Sequence, residues 1–194
     1  MKIITIAFDL DSVLADPMPV FARVIKTRFN AKIIGHDRWR IDTKPTLTSD
    51  QFFSAWNETY FRYDEIPILD GAVSLLNRLS SLAPDDPIKI VTHRHYDVAE
   101  PTFKLVHRIY HGLLNLVICP KIDKSLFVRG YTHFVEDRAR NVFSLAQNGI
   151  KVYMPNCDWN QNYNHPELAN NPNINRIKGV YELLPAAPTF IKEV

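Results

Sequence analysis

The chain has 194 residues, of which 46% are hydrophobic and 23% are charged. These values exclude a disordered chain, a collagen and a coiled coil, and they fit one globular domain with a small insert. The 23 Lys and Arg against 21 Asp and Glu give a formal charge of +2, far from the basic balance of a protein dedicated to duplex DNA. We therefore expect no stable binding to nucleic acid.

The cysteine content and the N-terminus indicate the compartment. Cys119 and Cys157 are too few for a disulfide framework, which suits a reducing environment. The apolar run 1–8 is too short for a signal peptide, and no stretch approaches about 18 apolar residues. We expect a soluble cytoplasmic protein that does not contact membranes, and a homodimer is left open.

Short apolar runs alternate with segments of helical spacing along most of the chain. Strands are predicted at 3–8, 88–91, 116–118, 133–135 and 150–153, and helices near 71–82, 97–111 and 138–148. Strand and helix in alternation predict an α/β fold with a doubly wound parallel sheet. Gly149 is expected to end the last of these helices in a left-handed conformation.

Residues 17–69 interrupt this alternation. Helices are predicted around 18–29 and 49–62, separated by a polar loop, and no strand is expected there. We interpret this segment as a small helical cap inserted after the first strand, leaving a catalytic core of residues 1–16 and 70–194. The Asn- and Pro-rich stretch 156–175 is predicted to be a long loop.

Polar side chains follow several of the predicted strands. Asp9 and Asp11 come directly after the first strand, where a helix-capping acid would be the ordinary explanation. Other strands are followed by Thr92, by Lys124 and by the pair Glu136-Asp137. Because parallel strands place their carboxyl ends at one sheet edge, these groups should converge on a site for a divalent metal and a phosphate.

The order of these features resembles the motifs of the haloacid dehalogenase superfamily of phosphotransferases. The stretch 9–16, DLDSVLAD, is similar to the DxDGVLAD start of the 5'(3')-deoxyribonucleotidases. Ile66-Pro67 and Gly71-Ala72 resemble the return from the cap in that family, and residues 123–125, DKS, resemble its third motif. The resemblance covers most of the chain and implies the core fold of the superfamily.

Three positions depart from the nucleotidase pattern. Ser12 stands where the family usually has Gly, and Glu136 replaces the first Asp of the acidic pair. His93-Arg94 follows Thr92 where the family usually carries Ser-Pro. The last change falls near the expected phosphate and could alter the choice of substrate.

The resemblance implies an aspartyl-phosphate mechanism that agrees with the chemistry of the residues. Asp9 would attack phosphorus, and Asp11 would act as general acid and then as general base. Mg²⁺ prefers oxygen ligands, so Asp9, the backbone carbonyl of Asp11 and Asp137 would hold it. Glu136 would orient a metal-bound water from the second coordination sphere.

The phosphate would be bound by Thr92 and by a lysine. We prefer Lys124 to the competing Lys121, because residues 123–125 match the family spacing to the acidic pair. Arg94 is predicted to be a further phosphate contact, with a solvated loop arginine as the alternative.

The predicted cap is rich in aromatic residues. Most must form its core, but one or two could stack on a nucleobase; the candidates are Trp56, Tyr60, Phe61 and Tyr63. The sequence thus predicts a Mg²⁺-dependent phosphoric monoester hydrolase that acts on nucleoside monophosphates. The alternatives are a phosphatase of another small metabolite, such as a sugar phosphate, and a nucleic-acid 3'-end phosphatase.

Overall fold

A computed structural model describes residues 1–37, 40–119, 122–160 and 170–194. In chain order its strands are β1 (Lys2–Ile4), β2 (Ile6–Phe8), β3 (Lys32–Asp37), β4 (Arg40–Lys44), β5 (Ile88–His93), β6 (Leu114–Cys119), β7 (His133–Val135), β8 (Lys151–Pro155), β9 (Ile174–Ile177) and β10 (Ile191–Glu193). Its α-helices are α1 (Met18–Phe29), α2 (Ser49–Phe61), α3 (Ala72–Leu82), α4 (Ala99–Ile109) and α5 (Ala139–Gln147).

A six-stranded parallel sheet forms the centre of the molecule, in the order β6-β5-β2-β7-β8-β9. Strand β2 lies between β5 and β7, and all three of its residues are buried. A strand buried on both faces needs a continuous apolar sequence, which Ile6, Ala7 and Phe8 supply. The prediction of a doubly wound α/β fold with an insert after the first central strand is confirmed.

The prediction of one strand over 3–8 is wrong in detail, because the chain changes partners at Thr5. Strand β1 pairs antiparallel with β10, whereas β2 belongs to the main sheet. The Thr5 N–H donates to the Phe190 carbonyl at 2.8 Å, and the Thr5 carbonyl accepts from the backbone N–H groups of Thr132 and His133. These bonds hold Thr5 between the two sheets.

The inserted segment contains the two predicted helices, α1 and α2. A capping box fixes the start of α2: the Thr48 side chain accepts from the Gln51 backbone N–H, and the Gln51 side chain accepts from the Thr48 backbone N–H. The ring of Phe21 on α1 lies 5.1 Å from both the Phe52 and the Trp56 ring on α2. Aromatic packing thus holds the two helices together.

The predicted polar loop between these helices is wrong, since β3 and β4 form an antiparallel hairpin there. The two strands, KIIGHD and RIDTK, contain three large apolar residues, Ile33, Ile34 and Ile41, so the sequence shows no long apolar run. Trp39, one of the aromatics of this segment, lies outside the described residues.

Two linkers join the insert to the sheet and pair with each other. The Asp16 N–H donates to the Pro67 carbonyl at 2.9 Å, and the Leu69 N–H donates to the Leu14 carbonyl at 3.0 Å. Ala15 and Ile68 form an isolated antiparallel bridge between these bonds. The division of the chain into a core and a cap at 17–69 remains a prediction.

The C-terminal half follows the predicted alternation closely. Gly149 follows α5 with φ of +78°, and its N–H donates to the Ala146 carbonyl at 3.1 Å, as a left-handed helix end requires. The predicted loop 156–175 is shorter than expected, because β9 begins at Ile174; residues 161–169 lie outside the described part. Among the described helices, none combines the length and apolar character needed to cross a bilayer.

Candidate active site

Asp9 lies at the carboxyl end of β2, where the sheet edge opens beneath the insert. Its side chain is mostly buried, and Oδ1 accepts a 2.7 Å hydrogen bond from the Leu10 N–H. Oδ2 lies 2.7 Å from Lys124 Nζ. Burial alone would raise the pKa of Asp9, but the charges of Lys124 and Arg94 outweigh it and hold the pKa below its usual value. The neighbouring cations therefore favour the ionised form of Asp9.

Lys124 opens a short 3-10 helix that follows β6, and Asp123 caps this helix by accepting from the Ser125 N–H at 2.9 Å. Lys124 Nζ lies 2.7 Å from Asp9 Oδ2 and 2.7 Å from Glu136 Oε2. The lysine is almost fully buried, and although burial opposes its charge, the two carboxylates raise its pKa. The preferred lysine thus joins the two acids, whereas Lys121 lies outside the described residues.

Glu136 and Asp137 follow β7, and both are fully buried. Both Glu136 oxygens are engaged, Oε2 by Lys124 and Oε1 by the Arg138 N–H at 3.0 Å. Burial raises the pKa of Glu136 to about 7, since one lysine cannot fully offset the neighbouring carboxylate of Asp9 as well. Because both of its oxygens are engaged, Glu136 suits a role in orienting the groups around it.

Asp137 has one engaged oxygen and one free oxygen. Oδ2 accepts a 3.1 Å hydrogen bond from Trp159 Nε1, while among the described residues no donor reaches the buried Oδ1. Burial and the nearby charges of Glu136 and Asp9 raise the pKa of Asp137 well above its usual range. A buried carboxyl oxygen without a partner can be satisfied by a proton, a hydrogen-bond donor or a cation.

The carboxyl groups of Asp9, Glu136 and Asp137 lie within 4.8 Å of one another and could hold a metal ion. With Asp11 the site has four carboxyl groups, and Lys124 and Arg94 supply two cations, so two negative charges remain when all are ionised. A divalent cation would balance these two charges, and oxygen donors are the ligands that Mg²⁺ prefers. The residues present therefore fit Mg²⁺, with Asp137 Oδ1 as the free ligand atom.

Thr92 lies near the end of β5, beside β2 in the sheet. The side chain is fully buried, and its Oγ1 has no hydrogen-bond partner within the described residues. A buried hydroxyl without a partner can donate a hydrogen bond to a bound ligand that is rich in oxygen.

Asp11 is held by groups other than those that hold Asp9. Its Oδ1 forms a buried ion pair with Arg94 Nη2, and its Oδ2 accepts a 2.8 Å hydrogen bond from the Tyr60 hydroxyl. Burial raises the pKa of Asp11 although Arg94 opposes the shift. Arg94, predicted to bind phosphate, is therefore directed to Asp11 in this structure.

Of the four cap aromatics named from the sequence, the structure brings Tyr60 to a site carboxylate. Tyr60 is fully buried, and burial with the charge of Asp11 raises its pKa well above 10, so its hydroxyl stays a donor. Trp56 packs among Phe21, Phe52 and Tyr60 within the insert. The side chain of Phe61 is 61% exposed, and Tyr63 packs partly buried against the core.

The loop after β8 adds residues that the sequence reasoning missed. Asn160 is buried, and its Nδ2 donates to the Asp137 carbonyl at 3.0 Å and to the Pro155 carbonyl at 2.8 Å. Arg176 Nη1 donates to Asn160 Oδ1 at 2.8 Å and so fixes the amide. Their position along the chain was the signal that could have indicated them, because Trp159 and Asn160 follow the carboxyl end of a strand next to β7.

The sheet is parallel, buried carboxylates lie at its carboxyl edge, and an insert follows the strand that bears Asp9. Open α/β sheets of this class usually bind their ligands at this edge. No protein-family model matches the chain, and no curated protein matches it significantly. Solved structures do match it, and they show that the chain has the fold of haloacid dehalogenase-like hydrolases.

Three similar structures illustrate the match. A haloacid dehalogenase-like family protein, SP0104 from Streptococcus pneumoniae, is 18% identical with a TM-score of 0.62, and the match covers 95% of this chain and 98% of that one. CbbY from Rhodobacter sphaeroides, solved in complex with phosphate, is 12% identical with a TM-score of 0.60 over 93% and 96% of the two chains. A hydrolase of the same family from Xanthomonas campestris is 9% identical with a TM-score of 0.58 over 97% and 96%.

Proposed function

We propose that the protein is a Mg²⁺-dependent phosphoric monoester hydrolase that forms an aspartyl-phosphate on Asp9. The observation that carries the proposal is the pair of unsatisfied buried oxygens, Asp137 Oδ1 and Thr92 Oγ1, at the sheet edge that holds Asp9 and Lys124. The Asp137 oxygen can bind a cation, and the Thr92 hydroxyl can donate to an anion. A metal and a phosphoryl group would satisfy both. CbbY, which has the same fold, was solved with phosphate.

The first half of the proposed reaction transfers the phosphoryl group to the protein. An Asp9 carboxylate oxygen forms a bond to phosphorus while the bond from phosphorus to the leaving oxygen breaks. Asp11, in its acid form, gives its proton to that leaving oxygen. Lys124 and Thr92 are placed to stabilise the charge on the phosphoryl oxygens, and Mg²⁺, when bound, supplies additional charge neutralisation.

The second half releases phosphate. A water oxygen bonds to phosphorus as the bond between phosphorus and the Asp9 carboxylate oxygen breaks, and the Asp11 carboxylate takes a proton from that water. Asp11 ends protonated and Asp9 ends as a free carboxylate, so the site is ready for a further cycle. The separate partners of Asp9 and Asp11 suit these separate roles.

For the leaving group we propose a nucleoside, on the strength of the DLDSVLAD stretch and its likeness to the deoxyribonucleotidases. A second candidate, a sugar phosphate or similar small metabolite, is favoured by the placement of the cap aromatics. Trp56 packs inside the insert and Phe61 faces outward, so neither supports stacking on a base.

The test is a phosphate-release screen over nucleoside monophosphates, sugar phosphates and a generic aryl phosphate, with Mg²⁺ and with excess EDTA. We expect activity with Mg²⁺ and none with excess EDTA. We also expect Asp9→Asn to abolish the activity, because an amide cannot form the acyl phosphate. Asp64→Asn makes the same chemical change at an exposed acid of the insert and should retain activity. Full turnover in EDTA or in Asp9→Asn would refute the mechanism, and preference for sugar phosphates would replace the nucleotidase assignment.

A further inference from the structure

Both oxygens of the Asp11 carboxylate are held by side chains from other parts of the chain. Arg94, which follows β5, pairs with Oδ1, and Tyr60, near the end of α2, donates to Oδ2 at 2.8 Å. All three side chains are buried. The direction of the carboxyl group is therefore set jointly by the sheet and by the inserted segment.

Arg94 and Tyr60 also support each other. The Arg94 guanidinium carbon lies 4.1 Å from the centre of the Tyr60 ring, as in a cation–π contact. The Tyr60 ring also meets Trp56 edge-on, with ring centres 5.9 Å apart. Tyr60 therefore contacts both the arginine and the aromatic packing of the insert, and its hydroxyl donates to Asp11.

We propose that Tyr60 and Arg94 are positioning residues that aim the Asp11 carboxyl group at the oxygen of the leaving group and, later, at the attacking water. This inference rests on the proposed function. Proton transfer requires heavy atoms about 2.6–3.2 Å apart, so a carboxyl group free to rotate would spend much of its time out of reach. Asp9 needs no such help, because Lys124 and the Leu10 N–H already fix it.

The assignment differs from the role that the sequence suggested for either residue. A phosphate-binding Arg94 and a base-stacking Tyr60 would act on the substrate, whereas a positioning pair acts through Asp11. The difference can be measured, because a misdirected general acid harms substrates with poor leaving groups most. An activated nitrophenolate departs without a proton, but an alkoxide does not.

Tyr60→Phe removes the hydroxyl and keeps the ring that contacts Arg94 and Trp56. We expect kcat/KM for an alkyl phosphate to fall roughly 10- to 100-fold, a part of what a general acid contributes, and kcat/KM for p-nitrophenyl phosphate to fall less than about 3-fold. Tyr110→Phe is the matched control, since this buried tyrosine hydroxyl has no partner within the described residues and lies beside Gly112, between the end of α4 and the start of β6. Its two rates should be those of the parent, and its melting temperature reports the general effect of the change.

Arg94→Lys keeps the cation and loses the planar guanidinium. A positioning role predicts the same selective loss on the alkyl phosphate. A phosphate-binding role predicts instead an equal rise in KM for both substrates, and that result would overturn the assignment for Arg94.

The Asp11→Asn background tests whether Tyr60 acts through Asp11. There Tyr60→Phe should have no further effect on kcat/KM for the alkyl phosphate, because residues that act as a unit are not additive. Independent effects in the double variant, or an equal loss on both substrates in Tyr60→Phe, would overturn the proposal. An inactive parent protein would refute the proposed function instead, so the two failures are distinguishable.

Discussion

The Trp159 indole N–H donates a 3.1 Å hydrogen bond to Asp137 Oδ2 and so fixes one oxygen of a candidate metal ligand from the loop after β8. The Asp137 carbonyl is held by Asn160 at 3.0 Å. Residues that orient a ligating carboxylate usually affect metal affinity strongly even though they do not touch the metal. We therefore expect the proposed Mg²⁺ requirement to be sensitive to the loss of the Trp159 indole.

We expect Trp159→Phe to raise the Mg²⁺ concentration for half-maximal activity about 10-fold, at the low end of measured effects of such partners. The ring is largely kept, and only the donor to Asp137 is lost. A Mg²⁺ titration of phosphate release measures the effect, with turnover at saturating Mg²⁺ as the control. An unchanged titration curve with reduced maximal turnover would show that the indole serves another purpose.

The Lys124 ammonium group is shared by Asp9 and Glu136, and it predicts a coupled effect on stability. Lys124→Met would leave two buried carboxylates without a cation, which should lower the free energy of unfolding by about 3–5 kcal/mol. Adding Glu136→Gln removes one of those charges and should recover part of the loss.

Urea unfolding in EDTA measures this coupling without a contribution from bound metal. The parent, both single variants and the double variant form a complete cycle. Strictly additive free energies would show that Lys124 does not link the two acids.

Gly71 precedes α3 at the end of the second linker, with φ of +80°. A Cβ there would lie 2.5 Å from the Tyr181 Cβ and 2.6 Å from its Cα, so the backbone of another segment would have to move. Gly149 has a similar φ of +78°, but a Cβ there meets nothing within 4 Å.

The two glycines form a matched pair for alanine substitution. Gly149→Ala should lower the free energy of unfolding by about 1–2 kcal/mol through backbone strain alone, and Gly71→Ala should lower it by a further 1–3 kcal/mol or so through the clash. Chemical denaturation of both variants gives the comparison. Equal losses would mean that the contact with Tyr181 relaxes at little cost.

The central strands could be predicted from the sequence because each is marked by a local pattern. Continuous apolar runs mark buried strands, and the polar residues that follow them could be assigned to one sheet edge without knowing any distance. The convergence of Asp9, Lys124, Glu136 and Asp137 follows from that rule. The short strands of the inserted hairpin give no such signal, because their few apolar residues, Ile33, Ile34 and Ile41, lie among polar residues and Gly35.

The partners of Asp11 could not be predicted in the same way. The hydrogen bond from Tyr60 joins residues 49 positions apart, and it depends on how α2 packs against α4 and the turn before it. Composition alone does not separate a tyrosine that completes the aromatic core of the insert from one that reaches a carboxylate. Trp159 and Asn160 could not be assigned to the site for a related reason. An Asn-rich segment predicts a loop, but it does not predict the direction in which the side chains of that loop point.

His133 begins β7, at the end of the strand opposite to Glu136 and Asp137, and gives a prediction for the pH dependence of stability. Its ring stacks on Tyr153, with centres 5.9 Å apart, and meets Phe190 edge-on at 5.1 Å. Burial, with a smaller contribution from the charge of Lys151, lowers the pKa of His133 below its usual value of 6.5. In the unfolded chain the imidazole therefore takes up a proton at a higher pH than in the folded protein.

Since the unfolded state binds more protons in this window, His133 stabilises the fold fully above about pH 6.5 and progressively less as the pH falls toward its lower folded pKa. The change in unfolding free energy between about pH 8 and pH 5 should thus be smaller in His133→Gln than in the parent. Comparing this change, rather than absolute stability, removes the cost of the lost ring contacts. Lys151→Met should move the NMR titration of the His133 ring to higher pH, because the repelling charge is gone. A titration midpoint of His133 at or above 6.5 in the folded parent would contradict the assignment, whatever the stability of the variants.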